Sequence, residues 1–213
     1  MGILVRQSII STIISYAGIG IGYVNLLYLY PLFLNPEQVG LMRAVQDASL
    51  LLAQFEQFGL AQSIIRFFPR FMGQISQSRS FINVIVLASL FGFGFFLIIY
   101  FAFQTYILGY FELHANELIH YSNLVLWITF MIVITTLMEV YSRSLLKNIL
   151  PNLVREVISR LLLTIIVVLY AQGILDFQQV MYASVLGHLV CLLIIVIGLA
   201  SGNHLHLKAD FTI

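Results

Sequence analysis

From Phe81 to Phe103 the chain runs without one charged residue, and Phe177 to Ala200 holds no Asp, Glu, Lys or Arg, only His188. A helix needs about 20 consecutive apolar residues to cross the hydrocarbon core of a bilayer. Runs of that length and composition restrict the chain to membrane-spanning helices. The bulk numbers agree: 61% of the 213 residues are hydrophobic and 9% are charged, where a soluble domain has roughly 25% charged. A water-soluble fold could not hide that much apolar surface. The net charge of +1 gives no case for a nucleic-acid partner. The single cysteine, Cys191, leaves no intramolecular disulfide and no cysteine metal cluster to be made. The apolar run after Ser8 is too long for a signal-peptide core and shows no small-residue cleavage site, so it reads as a span that stays in place.

The expected fold is an all-α membrane protein in which residues 1–213 form a single lobe of six transmembrane helices, at about 8–34, 40–66, 81–103, 117–146, 151–171 and 177–200. In the first, Gly18 and Gly22 form a small-xxx-small pair that lets another backbone approach. Pro31 and the Asn35-Pro36 turn end it. A short connection then makes spans one and two a helical hairpin. Met72 to Ser80 reads as a polar connection. Pro151 is a favoured first residue for the fifth helix. All connections are short, so no soluble catalytic domain sits between helices.

Basic residues set the orientation. With the N-terminus in the cytoplasm, Arg6, the Arg66/Arg70/Arg79 region, the Arg143/Lys147/Arg155/Arg160 region and Lys208 all fall inside. The outer connections then hold Glu37, Glu112, Glu117 and Asp176 and no Lys or Arg. This positive-inside pattern predicts both ends of the segment in the cytoplasm.

The stretch Gly40 to Phe71 stands apart. It is long enough to span, yet it carries Arg43, Asp47 and Glu56 in an apolar and amide-rich run. A charge inside a spanning helix costs a few kcal/mol on insertion scales, so such residues usually face a bundle interior or a water-filled path. The stretch is therefore expected to line a polar cavity that the other helices wall. Arg43 and Asp47, one turn apart, can pair; alternatively Arg43 offers its planar fork of donors to an anion such as a diphosphate. Glu56, flanked by Gln54 and Gln57, is either protonated, paired with a basic residue of another helix, or a site for a coupling ion or substrate. Glu139 with Arg143, and Arg155 and Glu156 with Arg160, form a second cluster across spans four and five. It reads as ion pairs that staple two helices, or as an inner gate. His188 reads as a helix–helix hydrogen bond or a proton relay. The chain shows no nucleophile motif, phosphate loop or metal-ligand spacing. No enzyme activity, cofactor or metal is expected.

The proline turn before Gly40-Leu41, the run Phe58-Gly59-Leu60-Ala61, and Arg66 followed by Phe67-Phe68-Pro69-Arg70 resemble the second-helix region of bacterial polysaccharide (O-antigen) flippases. These belong to the multidrug/oligosaccharidyl-lipid/polysaccharide exporter superfamily, which includes the MATE-like two-lobe transporters. The six-span layout and the basic helix start, apolar run and outer turn of Asn152 to Asp176 are similar to its first lobe. The resemblance implies translocation of a polyprenyl-diphosphate-linked oligosaccharide from the inner to the outer leaflet of the bacterial cytoplasmic membrane. It also implies membrane lipids as neighbours and two six-helix lobes around a central cavity. Arg43 would match the basic cavity residue of that family, with Glu56 and Glu139 as looser matches. The family has about twice this many helices. This chain is therefore expected to be the N-terminal half of a longer one, or else a half-size protein that forms a homodimer. Three other functions compete: an ion-coupled multidrug or metabolite exporter using Glu56 or Asp47, a non-transporting scaffold of a glycan-assembly complex, and an intramembrane transferase.

Overall fold

The computed structural model describes residues 2–57, 59–71, 75–112, 120–145 and 147–201. They are almost entirely helical, with no strand among the described residues. Helix α1 is Ile3–Val24 and runs on through a π-helical turn, Asn25–Leu29, into Tyr30–Phe33. Then follow α2 (Pro36–Glu56), α3 (Leu60–Phe71), α4 (Ile75–Glu112) and α5 (Ser122–Ser144). Helix α6 starts as Ile149–Leu153, passes through a second π turn, Val154–Ile158, and continues as Ser159–Ala171. Helix α7 is Phe177–Ser201.

Local chemistry explains the first boundary. Leu34 is extended, and Asn35 caps α2 with its side chain on a first-turn N–H while Gln38 reaches back to the Asn35 N–H at 3.0 Å. Pro36 sits at a first-turn position, where its missing donor costs nothing.

Four of these helices hold segments long and apolar enough to cross a membrane, Val5–Phe33, Val84–Phe103, Ser122–Ser144 and Phe177–Ser201. They make this a membrane-embedded protein. The remaining two expected spans, 40–66 and 151–171, fall outside that set because they are the ones loaded with charge. The first of them is also not one helix. Helix α2 ends at Glu56 and α3 starts at Leu60, and between them Gly59 takes φ +76°, a left-handed conformation that breaks a right-handed helix and that glycine adopts without steric cost. Helix α4 is longer than expected at both ends: residues from Ile75 on, read from sequence as part of a polar connection, are its first turns. Residues 117–119, the expected start of the fourth span, lie outside the described residues, as do 72–74 and 202–213.

The charged second stretch was expected to be the organising element, but α5 occupies the centre. Of the membrane-length segments its window is 61% buried, against 11–17% for the other three. Helices α2, α3, α4 and α7 all pack on it. At the α2–α5 crossing the fully buried Ser49 and Thr129 hydroxyls donate at 2.7 Å to carbonyls of their own helices, Val45 and Val125, and lie within 3.2 Å of the Val125 carbonyl and 3.4 Å of the Ser49 carbonyl on the facing helix. Small residues let the backbones close up, and each hydroxyl is satisfied by a carbonyl where water is excluded. Apolar side chains fill in on either side, with Leu41, Val45, Leu124, Ile128 and Met181 in one cluster and Ile64, Val133, Leu137, Ile195 and Leu199 in the other.

The expected hairpin of spans one and two is not formed as a packed pair. Helix α1 packs on α6 instead. The glycines make this possible: a Cβ on Gly18 would meet the Glu156 carbonyl oxygen at 2.5 Å, and one on Gly22 would meet an Arg160 guanidinium nitrogen at 2.6 Å. Polar bonds run along the seam. Asn152 Nδ2 donates to the Ser11 carbonyl at 3.1 Å, Asn25 Nδ2 to the Arg160 carbonyl at 3.2 Å, and Thr164 Oγ1 to Asn25 Oδ1 at 2.9 Å. The close backbone approach expected of the Gly18/Gly22 pair is present at Gly18, with α6 as the partner, whereas at Gly22 the space is taken by the Arg160 side chain.

Candidate binding cavity

Because α1 leans on α6, a cavity of about 500 Å³ opens between α1, α2, α6 and α7. Both π turns contribute to its wall, Asn25 and Leu26 from the first and Arg155 and Glu156 from the second. A π turn widens the helix by one residue and re-aims the side chains around it, and such turns are common at functional sites. Arg43, Gln46 and Leu50 come from α2, and Ser184 and His188 from α7.

The lining holds three arginines, Arg43, Arg155 and Arg160, against one carboxylate, Glu156. Two of the three are anchored. Arg160 donates through Nη1 to the Gly18 carbonyl and pairs through Nη2 with Glu156 at 3.3 Å. Arg155 reaches Glu156 through Nε at 3.2 Å and Glu139 through Nη1 at 3.5 Å. Glu139 also takes Arg143 at 3.5 Å, so a relay of alternating charge runs from Arg143 through Glu139, Arg155 and Glu156 to Arg160. The expected staple between spans four and five is present as the Glu139–Arg155 pair. Glu139 itself is not among the residues that line the cavity.

Arg43 differs from the other two: no carboxylate lies within ion-pair distance of it among the described residues, although Asp47 is one turn away. Arg43 and Tyr30 line the cavity and Asp47 does not, although Arg43 and Asp47 are both exposed. The pairing that the spacing allows is thus not made.

The remaining residues singled out from sequence fall in three places. His188 lines the cavity, but its Nδ1 is 2.9 Å from the carbonyl of Ser184 on its own helix. A carbonyl can only accept, so Nδ1 carries the proton of that bond; the bond is within α7, not the expected one between helices. Glu56, Gln54 and Gln57 lie outside the cavity. Gln54 is exposed, while Glu56 is 1% exposed at the end of α2, and neither of its carboxylate oxygens has a hydrogen-bond partner among the described residues. It faces α4, where a Cβ on Gly92 would lie 3.8 Å from its Oε1. Of the sequence alternatives for Glu56, pairing with a basic residue is not realised among the described residues. Arg143 opens onto a different recess.

No protein-family model, no curated protein and no solved structure matches this chain. The site must be read from its own chemistry. Asn25, Tyr30, Gln46 and Ser184 are wall residues that spacing did not single out; the one signal was Asn25 and its tyrosine neighbours in an otherwise apolar run. Among the described residues no three His, Cys, Asp or Glu side chains come together to hold a metal. The cavity lining holds more guanidiniums than carboxylates, with amide and hydroxyl groups and apolar surface from Leu50, Leu163 and Ile166.

Proposed function

We propose that this protein is one six-helix lobe of a transporter that flips polyprenyl-diphosphate-linked oligosaccharide from the inner to the outer leaflet of a bacterial cytoplasmic membrane. A second lobe faces it, in the same chain or in a second copy, and the two alternate access to the cavity between them. The observation that carries this reading is that Arg43 lines the same cavity as Arg155 and Arg160 and, among the described residues, has no carboxylate within ion-pair distance. A diphosphate is a natural occupant for a cavity lined by several arginines, and the hydroxyl and amide groups of the wall suit a glycan. Neither group crosses about 30 Å of hydrocarbon unaided. In this reading α2 and α6 complete six spans, their charged turns facing the cavity, and both ends of the lobe are cytoplasmic as the basic residues indicate.

The test is native mass spectrometry of the protein purified from its own membranes. The expected result is a retained polyprenyl-diphosphate glycan that the Arg43→Gln variant loses. Ordinary phospholipid alone, in the wild type as in the variant, would sink the proposal.

A second reading has one observation behind it. Glu56, buried and without a hydrogen-bond partner among the described residues, suits an exporter of small cations driven by an ion that visits this carboxylate. That reading predicts ion-driven uptake of a cationic dye into vesicles that Glu56→Gln abolishes and Arg43→Gln leaves intact.

A further inference from the structure

Ser184, His188 and Cys191 recur at helical spacing along α7, and all three line the central cavity. That spacing puts His188 on the cavity face of its helix. The two nitrogens of its ring have separate duties. Nδ1 donates to the Ser184 carbonyl at 2.9 Å, which anchors the ring to its own helix. Nε2, the nitrogen farther from the backbone, is then an acceptor in the neutral ring and a second donor in the imidazolium. Among the described residues Nε2 makes no hydrogen bond, and it is not one of the buried unpartnered atoms. This end of the ring is therefore both unoccupied and reachable. Several other polar groups of the wall are committed to the fold: Asn25 to the Arg160 carbonyl and Thr164, Ser159 to the Arg155 carbonyl, and Ser184 to the Met181 carbonyl.

The charges around His188 come from three helices. Arg155, Glu156 and Arg160 of α6 and Arg43 of α2 share its cavity. Helix α5 also packs on α7, and there Glu139 stands outside the lining, held by Arg143 and Arg155. Tyr30 and Cys191 are the other lining groups with a titratable proton. Glu156, the carboxylate of the lining, is taken by Arg155 and Arg160. An imidazolium in this wall thus finds no free carboxylate among the described residues, and its counter-ion must come with a ligand. An anion beside an imidazole favours the charged ring. By linkage, the charged ring favours the anion to the same extent.

We propose that His188 is a ligand contact: protonated Nε2 donates to an anionic oxygen of the lipid-linked diphosphate inferred above for this cavity, a reading on which this one rests, so that ligand and proton bind together. The proton comes from water when the anion binds and returns to water when it leaves. Affinity is greatest at acid pH, where the ring is charged before the anion arrives, and falls as pH rises through the range in which imidazoles titrate.

The experiment uses the whole protein in nanodiscs of phosphatidylcholine, with empty nanodiscs as the blank. The probe is a short-chain prenyl diphosphate esterified to N-acetylglucosamine. As a diester it lacks the second ionisation, at about pH 6, of a phosphate monoester, so its own charge stays constant. Titration calorimetry is run at acid, neutral and alkaline pH, and at neutral pH in two buffers of different ionisation enthalpy, which counts the protons taken up. The wild type should bind about tenfold more weakly at the alkaline end than at the acid end, with net proton uptake. His188→Gln keeps a hydrogen-bonding amide at this place and cannot carry the charge; its affinity should be flat in pH and its binding free of the uptake. A purely structural role for the ring would not produce that difference. The proton count on the wild type needs no variant, so the test stands even if the substitution disturbs folding. Binding without proton uptake in the wild type would overturn the histidine contact and leave the anionic occupant standing. Uptake undiminished in His188→Gln would also overturn it, by assigning the proton to another group such as Glu156. No binding above the blank at any pH would sink the anionic occupant and the histidine contact together.

Discussion

A Cβ on Gly18 would stand 2.5 Å from the main-chain oxygen of Glu156, so α1 and α6 meet backbone to backbone beside the central cavity. Gly20, two residues on, has nothing within 4 Å of the same virtual atom. The two glycines make a controlled pair. Gly18→Ala should cost about 1–3 kcal/mol, the usual range for overpacking, because the clash is with backbone that cannot swing aside. Gly20→Ala should be neutral or stabilise by up to about 1 kcal/mol through helix propensity. Thermal melting of the purified protein in detergent decides it, and equal melting of the two variants would mean that α1 and α6 do not touch there.

The absence of an Arg43–Asp47 pair has a measurable consequence. In a double-mutant cycle with Arg43→Gln and Asp47→Asn, the coupling energy for stability should fall below about 0.3 kcal/mol, the scatter expected of independent sites. Each single change should be within about 0.5 kcal/mol of wild type, as for exposed residues without special contacts. A coupling typical of a helix i,i+4 pair would show that Arg43 is neutralised along its own helix and not free for a ligand.

Much of this arrangement is legible in the sequence, and the rest is not for physical reasons. Charge-free runs such as Phe81–Phe103 state their own solvent, and the Gly18/Gly22 spacing states a close approach. Glu139 and Arg143 sit at helical spacing and do pair, at 3.5 Å. Arg43 and Asp47 have the same spacing and do not, because nearby tertiary space decides where a long side chain goes. The break at Gly59 was hidden because a glycine within an apolar stretch reads equally as helix packing or as a turn. The two π turns leave no compositional mark at all: Asn25–Leu29 and Val154–Ile158 look like ordinary helix, and only the packing of α1 on α6 reveals them. The centre of the helical bundle was misplaced for a related reason. Charges attract notice in α2, whereas α5 is in the middle because apolar side chains of α2, α3, α4 and α7 pack around it, with small residues such as Ser49 and Thr129 at the α2 crossing, and these carry no such signal.

Glu139 bridges two arginines, so its neighbours should be redundant one at a time. Arg143→Met alone should cost under about 1 kcal/mol, since a half-exposed guanidinium is lost and Arg155 still holds the carboxylate. The double variant R143M/R155M should cost more than the two singles together, up to about 3–5 kcal/mol, because it strands a buried charge. Replacing Glu139 by Gln in that double variant should recover much of the loss. Chemical denaturation of the five proteins checks the order; strict additivity would mean that the carboxylate finds another partner.

Glu56 gives the sharpest stability prediction. It is 1% exposed, and neither carboxylate oxygen has a partner among the described residues. Ala53, one turn earlier on the same helix, belongs to the apolar core cluster, and Gly92 of α4 lies against the carboxyl. A buried polar group without a hydrogen bond costs about 1–3 kcal/mol by mutational measures. Substituting it with an apolar residue of similar length removes that cost and keeps the packing. Glu56→Met should therefore raise the melting temperature, by about 2–4 °C for each kcal/mol recovered in a chain of this size. Glu56→Ala should lower it, since the cavity left behind outweighs the relief. The pair separates an unneeded polar atom from a used one. If Glu56→Met melts lower than wild type by as much as Glu56→Ala does, the carboxyl has a stabilising partner in the membrane, and the second functional reading, an ion held at this position, becomes the one to pursue.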